Sequence, residues 1–250
     1  MRNAKTVADL ALAVPSSIPV FERLLIDYCC QGREELSRAC REAGVTVQEL
    51  MEMIEEQQAL CPIRDWKDEP LTELIRFIVA THHHLTRTSL EALQPLATNV
   101  RELHGERHPE LEEVEQLVDE LASDLVPHML REERVLFPHV AAMVKAIRTD
   151  SDPPPSFFGS VSNPIRTMAL EHESAGETMA AIRRVTMEYE IPDDACPSYK
   201  AFYILLEDLE RDLHRHLHLE NRIVFPRAAE LESRAQEAVC SGAFFGRDPR

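Results

Sequence analysis

The sequence is poor in the residues that build sheets and barrels. It has only 7 glycines, 1 tryptophan and 6% aromatic residues in a chain of 250 residues. Sandwiches and barrels need frequent turn glycines together with β-branched and aromatic residues in their strands. Leucine, alanine and glutamate, which form helices readily, are abundant instead. These shortages favour an all-α fold.

Other absences narrow the class of protein. Six scattered cysteines are too few to staple a chain of this length. The apolar stretch 8–14 is short and contains Asp9, so it is a poor signal peptide, and no uninterrupted apolar run could span a bilayer. The formal net charge is −17 and no basic patch stands out, which argues against nucleic acid and anionic membranes as partners. We therefore expect a cytoplasmic protein with reduced thiols.

Breaks in the helical pattern predict several regions along the chain. Pro62, Pro70 and the single tryptophan, Trp66, stand among charged residues, as in a linker with one apolar anchor. Before the linker the chain is punctuated into short helices, and beyond it apolar residues recur every three and four positions. The predicted regions are a small helical domain at 1–58, a linker at 59–70, a helical bundle at 71–235 and a tail at 236–250.

Local signals place the ends of several helices. Thr46 and Glu49 have the spacing of a capping box before a short helix. Asn163 followed by Pro164 has the order of a helix cap and a first-turn proline. The first predicted bundle helix begins at Leu71. The second, third and fourth run over about 110–145, 163–189 and 198–232.

Two segments of the predicted bundle repeat each other. Residues 128–138 and 216–226 share His-x-x-x-Glu-x-Arg, two aliphatic residues and Phe-Pro in one register. Another histidine, His83 or His172, lies 45 or 44 residues before the histidine of each segment. The whole half-unit therefore repeats within the chain, which predicts two helix hairpins.

The spacing inside each half-unit suits metal binding. Residues four apart on a helix are separated by about 40° and about 6 Å, so His and Glu project from one face. Four-helix bundles build dinuclear sites from such inward-facing His and Glu ligands. Imidazoles and carboxylates without thiolate suit iron, although Zn and Mn also accept imidazole. The predicted ligands are the bridging Glu132 and Glu220 and the terminal His83, His128, His172 and His216.

Neighbouring residues receive other interpretations. In the triplet of histidines at 82–84, alignment of the half-units selects His83, and we expect His82 and His84 to be solvated. Phe137-Pro138 and Phe225-Pro226 are interpreted as packing and helix-ending residues rather than ligands.

The repeated segments resemble the hemerythrin-like domain of the RIC family, whose members repair iron centres. Residues 21–32, with the vicinal Cys29 and Cys30, resemble the short leading domain of that family, although Gln31 stands where the family usually has glycine. The two resemblances cover about 6–228, and the order of the two domains along the chain is the feature most specific to this family. They imply a hemerythrin-like antiparallel four-helix bundle preceded by a small helical domain.

The resemblance also implies a larger ligand set. The family's site has five histidines and two glutamates, and the fifth histidine matches His104, with His108 as the competitor. In one continuous helix His104 would lie about 30 Å from His83. Both can bind only if the chain turns back between them, which Pro95 and Gly105 would permit.

The implied cofactor is a pair of non-haem iron ions bridged by the carboxylates and by an oxo or hydroxo group. With about six bonds for each iron, the seven side chains and the bridge leave one position open, where O₂ or nitric oxide could bind. Cys29 and Cys30 are either a buried pair or a dithiol for redox chemistry or iron handling. Vicinal cysteines on an exposed domain are also compatible with a homodimer.

The function implied by the family is repair of iron–sulfur clusters damaged by nitric oxide or oxidants, through the supply of iron to damaged iron–sulfur proteins. Two alternatives use the same metal pair: reduction of nitric oxide, and hemerythrin-like binding or sensing of O₂ or nitric oxide. The leading dithiol domain favours repair, because a carrier would not need it.

Overall fold

The computed structural model describes residues 5–29, 32–60, 63–152 and 154–240. Within these ranges the chain is helical, and the one pairing of extended backbone is an isolated bridge between Thr6 and Glu35. The predicted all-α class is confirmed. Cys30, Gln31 and the end of the predicted tail, 241–250, lie outside the described residues.

Contacts divide the chain into two compact units. The first contains the chain up to Glu69 together with Leu213–Ile223, and the second contains Pro70–Asp212 and the chain from Val224 onward. The domain boundaries expected from the sequence stay predictions.

The first unit is built from short helices, two of which begin with a capping box. Thr6 and Asp9 form a capping box at its first helix. The capping box predicted at Thr46 is confirmed, since its backbone N–H donates to Glu49 Oε2 at 2.7 Å and Glu49 N–H donates to Thr46 Oγ1 at 3.1 Å. Trp66 is buried, as expected for an anchor. The helices are α1 Val7–Ala13, a 3₁₀ turn Pro15–Ser17, α2 Ile18–Arg23, α3 Leu36–Glu42 and α4 Val47–Leu60.

Gly32 packs closely against α1. The carbonyl of Gly32 accepts the backbone N–H of Ala8 at 2.9 Å. A Cβ atom on Gly32 would lie 2.5 Å from the Tyr28 carbonyl oxygen and 2.8 Å from Ala8 Cβ. Any side chain there would displace backbone, so the glycine that follows Gln31 is required by packing.

The long helices of the bundle are α5 Leu71–Ile78, α6 His84–His104, α7 Glu110–Arg131, α8 Phe137–Thr149, α9 Ser162–Val185, α10 Pro197–Leu219 and α11 Phe225–Cys240. They lie in the second unit except for the end of α10, which belongs to the first unit from Leu213 onward. Apolar residues on α7 recur every three or four positions and are buried, for example Leu111, Val114 and Val118. α7 packs against α6 and α9, and α8 packs against α5 and α11.

These helices form the predicted four-helix bundle, because short π-helical turns join α5 to α6, α7 to α8 and α10 to α11 without reversing the chain. None of the helices among the described residues combines the length and the apolar character that a membrane crossing requires.

The start of the third bundle helix differs from the prediction. α9 begins at Ser162, so Asn163 lies inside its first turn, and the Asn163 side chain donates to the Phe158 carbonyl. The amino-terminal end is held by Glu232 instead, whose carboxylate accepts the backbone N–H of Val161 at 2.9 Å. A distant carboxylate thus replaces the local cap, which the local sequence pattern could not indicate.

Candidate metal centre

Three of the four bundle helices widen into a π-helical turn at a proposed ligand. The turns are Val79–His83, Glu132–Leu136 and Glu220–Val224. A π turn accommodates one extra residue in the helix and is frequent at functional sites. Spacing rules for a regular α-helix did not reveal these turns.

The structure brings the six side chains of the repeated half-units together. Two overlapping groups could each hold a metal ion, and within each group the available ligand atoms lie within 4.8 Å of one another. All six residues are at most 1% exposed. The groups are His83, Glu132, His216 and Glu220, and His128, Glu132, His172 and Glu220.

Individual distances suit ligands of a common ion. Glu132 Oε2 lies 3.4 Å from His83 Nε2, and Glu132 Oε1 lies 3.4 Å from His128 Nε2. His172 Nε2 lies 2.9 Å from His128 Nε2, and His216 Nε2 lies 3.0 Å from Glu220 Oε1. Ligand atoms at right angles around one ion, each about 2.1 Å from it, are about 3 Å apart. The nitrogens and oxygens are therefore spaced as a metal would require.

A second layer of carboxylates orients two of the histidines. His83 Nδ1 lies 2.7 Å from Glu133 Oε1, which also accepts Arg87 Nη2 at 2.7 Å. Burial by itself raises the pKa of Glu133, but hydrogen bonds from Arg87 and His83 outweigh it and hold that pKa below its ordinary value. Glu133 is therefore ionised and can only accept a hydrogen bond.

The other half-unit repeats this arrangement. His128 Nδ1 lies 2.7 Å from Glu171 Oε2, and Arg131 Nη2 donates to Glu171 Oε1 at 2.6 Å. Burial by itself raises the pKa of Glu171, but the hydrogen bonds from Arg131 and His128 outweigh burial, so that pKa lies below its ordinary value. Carboxylates that hold the outer nitrogen of a ligating histidine are a common feature of metal sites.

These contacts determine which nitrogen faces the centre. Because Glu133 and Glu171 accept hydrogen bonds, Nδ1 of His83 and of His128 carries the proton. In the neutral imidazole Nε2 then presents a lone pair, and that lone pair faces the buried Glu132 carboxylate. Two acceptors at this distance repel each other unless a cation lies between them, and a buried carboxylate is costly without one. The donor set therefore fits a metal ion.

Two phenylalanines enclose the site. The Phe137 ring stacks on His83 with centroids 5.9 Å apart, and the Phe225 ring stacks on His172 with centroids 5.6 Å apart. Their predicted packing role is confirmed. Their predicted helix-ending role is wrong, because α8 and α11 begin at these residues and continue for several turns. A proline in the first turn after a π turn lacks only an N–H that the widened helix does not need.

The histidine next to His83 is also buried, contrary to expectation. His82 is 4% exposed, its Nδ1 lies 2.9 Å from Asp212 Oδ1, and its ring meets the Phe77 ring edge to face. His84 is exposed, as predicted. The π turn accounts for the difference, because widening the helix over 79–83 lets two adjacent histidines turn inward on different sides.

The structure does not bring His104 to the other six side chains. α6 runs without interruption from His84 to His104 and passes straight through Pro95. The chain does not turn back, so His104 lies about 30 Å from His83. Its ring is instead 5.2 Å from the Tyr199 ring and 6.3 Å from the His108 ring. The assignment of His104 as a ligand is corrected on this ground.

His108 does not join the centre either. Its Nδ1 lies 3.1 Å from Glu110 Oε1 and its Nε2 lies 2.9 Å from Asp194 Oδ1. Both nitrogens are thus engaged by separate carboxylates at the far end of α6. The alternative that places the fifth ligand at His108 fails for the same reason as His104.

Of the vicinal cysteines, Cys29 is within the described residues. It is 3% exposed, and its backbone N–H donates to Asp27 Oδ1 at 2.9 Å. Cys30 lies outside the described residues. The predicted roles of the pair in redox chemistry or iron handling stay predictions.

The fold and these side chains define a class: a metal-binding four-helix bundle of the hemerythrin type. Comparison with protein families gives the same answer. Residues 74–228 match the hemerythrin HHE cation binding domain, and residues 3–58 match the ScdA_N domain, a domain of unknown function.

Curated relatives share both parts of the chain. The iron-sulfur cluster repair protein YtfE of Salmonella schwarzengrund is 32% identical over 89% of this chain and 95% of its own length. YtfE of Pectobacterium carotovorum subsp. carotovorum is 29% identical over 90% of this chain and 96% of its own. This chain therefore belongs to the hemerythrin HHE cation-binding family, in the group that includes the YtfE proteins. The resemblance found in the sequence is confirmed.

Proposed function

We propose that this protein holds two iron ions between the six buried side chains and repairs iron–sulfur clusters damaged by nitric oxide or oxidants. His83 and His216 would serve one ion, His128 and His172 the other, and Glu132 and Glu220 both. The observation that carries the proposal is the sharing of these two carboxylates by both metal-binding groups. The relatives named as iron-sulfur cluster repair proteins supply the biological context.

The route we propose is supply of iron. When bound, the metal pair would provide ferrous ions for rebuilding a cluster, while the protein side chains hold, orient and shield it. Glu133 and Glu171 keep the inner nitrogens of two histidines deprotonated and aimed inward, and Phe137 and Phe225 cover the imidazole faces. Damaged iron–sulfur proteins are the proposed partners, and the cytoplasm is the proposed location.

Reactivation of a damaged enzyme tests this function. An iron–sulfur hydratase is inactivated with nitric oxide, freed of excess reagent and incubated with the iron-loaded protein or with the metal-free protein. We expect activity to return with the loaded protein only, in proportion to the iron that it carries. Equal recovery with the metal-free protein, or with the same amount of ferrous salt alone, would argue against the proposal.

One observation favours a second function of the same site. Without His104 the protein offers four imidazoles and two carboxylates, so more coordination positions are left for small ligands than the sequence implied. Nitric oxide or O₂ binding at the metal pair is therefore the second candidate, with nitric oxide reduction as its catalytic form. Consumption of nitric oxide by the loaded protein with an added reductant, without reactivation of the enzyme, would favour this candidate.

A further inference from the structure

A forked ion pair joins the leading helices to the helix that carries His216. Glu22, near the end of α2, accepts Arg215 Nε at Oε1 and Arg215 Nη2 at Oε2, both at 2.7 Å. The Glu22 side chain is 7% exposed, while the Arg215 side chain is 43% exposed. Two parallel hydrogen bonds restrict the direction of the guanidinium as well as its distance. The fork therefore holds the Arg215 guanidinium, and with it this part of α10, against Glu22.

A buried tyrosine supports the fork from the same side. The Tyr28 hydroxyl donates to Glu22 Oε1 at 3.2 Å, and its ring lies edge to face against His218 at 5.4 Å. Burial raises the pKa of Tyr28 well above its ordinary value, with Glu22 adding to the effect, so the hydroxyl keeps its proton. Tyr28 therefore contacts both the fork and the part of α10 that carries His218.

The part of α10 held in this way carries one proposed ligand, His216, and lies next to the other, Glu220. Arg215 and His218 lie immediately on either side of His216 and Leu217 in the chain, and His216 Nε2 lies 3.0 Å from Glu220 Oε1. A π turn begins at Glu220, where the regular helical hydrogen bonds are interrupted. A helix with such a break is easier to shift locally than a regular one, so external support matters more there.

We propose that Glu22 and Arg215 are positioning residues for His216 and Glu220, and that the leading helices slow metal release by holding this part of α10 in place. The inference rests on the proposed metal site. It assigns a task to the first unit that is separate from any chemistry of its cysteines, because the contact is made by Glu22, Tyr28 and Arg215.

If the fork served only the stability of the protein, breaking it would lower the stability and leave the rate of metal release unchanged. A comparable fork provides the control: Arg183 Nε and Nη2 donate to the two oxygens of Glu210, which is 2% exposed and also lies on α10. Glu210 holds α9 rather than the leading helices. Glu22→Gln and Glu210→Gln make the same chemical change in two different places.

The test is the rate at which ferrous iron leaves the loaded full-length protein for an excess of a coloured ferrous chelator. We expect about tenfold faster release from Glu22→Gln and Arg215→Lys than from the wild type, within the range for loss of supporting residues around a metal. Glu210→Gln should release iron at the wild-type rate, although it melts at a lower temperature. Equal rates in Glu22→Gln and the wild type, or equal acceleration in Glu210→Gln, would overturn the proposal.

A measurement without metal keeps the inference separate from the proposed function. Amide hydrogen exchange over 213–223 in the metal-free protein should accelerate in Glu22→Gln and stay unchanged in Glu210→Gln. Tyr28→Phe, which keeps the ring and removes one hydrogen bond, should give a smaller acceleration than Glu22→Gln. Unchanged exchange in Glu22→Gln would refute the positioning role even if cluster repair is confirmed, and faster exchange would support it even if repair fails.

Discussion

The two ends of α6 carry similar residues in different environments. Near its start, His83 is buried, one nitrogen is held by Glu133, and the other faces Glu132. Near its end, His108 is partly exposed, and its two nitrogens engage two separate carboxylates. The difference indicates that burial, together with one nitrogen directed at a shared carboxylate, distinguishes His83 from His108, and that proximity of a histidine to acidic residues is insufficient for a metal centre.

The largest expected effect comes from removing a shared carboxylate. Glu132→Ala or Glu220→Ala should lose most of the bound iron while the protein stays helical, because each carboxylate belongs to both metal-binding groups. Glu110→Ala, at the start of α7, is the matched control and should keep its iron. Elemental analysis with circular dichroism measures both properties. Retention of two irons in both Glu132→Ala and Glu220→Ala would contradict the assignment of these carboxylates as bridges.

A smaller effect is expected from the carboxylates behind the histidines. Glu133→Gln and Glu171→Gln should each weaken metal binding by about 10- to 100-fold, because glutamine no longer enforces the inward lone pair of His83 or His128. Asp194→Asn removes a carboxylate from His108 and is the control. Competition with a chelator of known affinity measures the change. Affinities that match the control would show that the outer carboxylates do not orient the ligands.

The sequence predicted which residues meet at the metal centre, but it did not predict the local helix geometry there. The repeated His-x-x-x-Glu pattern identified four of the six residues that lie together, because residues four apart share a face of a helix, and the matched spacing of the half-units added His83 and His172. The π turns were not predicted, although Phe-Pro directly after two of them is a usable signal. The turn over Val79–His83 has no such proline, so the burial of His82 could not be foreseen.

The far end of α6 was predicted less well. Pro95 suggested a break in the chain, but α6 continues through it because packing against α7 outweighs the lost hydrogen bond. The outer carboxylates were also missed, since Glu171 reaches a histidine 43 positions earlier in the chain. Contacts of this kind depend on how helices pack, which a local pattern does not contain.

A small effect of pH on stability is expected from His108, near the far end of α6. Burial by itself lowers the pKa of His108, but hydrogen bonds with Asp194 and Glu110 outweigh it and raise that pKa above 6.5. The stabilisation from this raised pKa is fully present below the unfolded pKa and is lost as the pH rises through the folded one. His108→Gln should therefore lose under about 1 kcal/mol of stability at pH 6 and less at pH 9. Urea unfolding of the metal-free proteins measures this, and an equal loss at both pH values would contradict it.

The smallest effect is expected from His104. His104→Ala should bind as much iron as the wild type, because α6 keeps this residue far from the centre. Loss of one iron in this variant would mean that the chain turns back in the metal-bound protein.

The most direct measurement is anomalous scattering at the iron absorption edge from crystals of the loaded protein. We predict two peaks, one bordered by His83 and His216 and the other by His128 and His172, with Glu132 and Glu220 next to both. A single peak, or a peak beside His104 and His108, would contradict the shared-carboxylate centre.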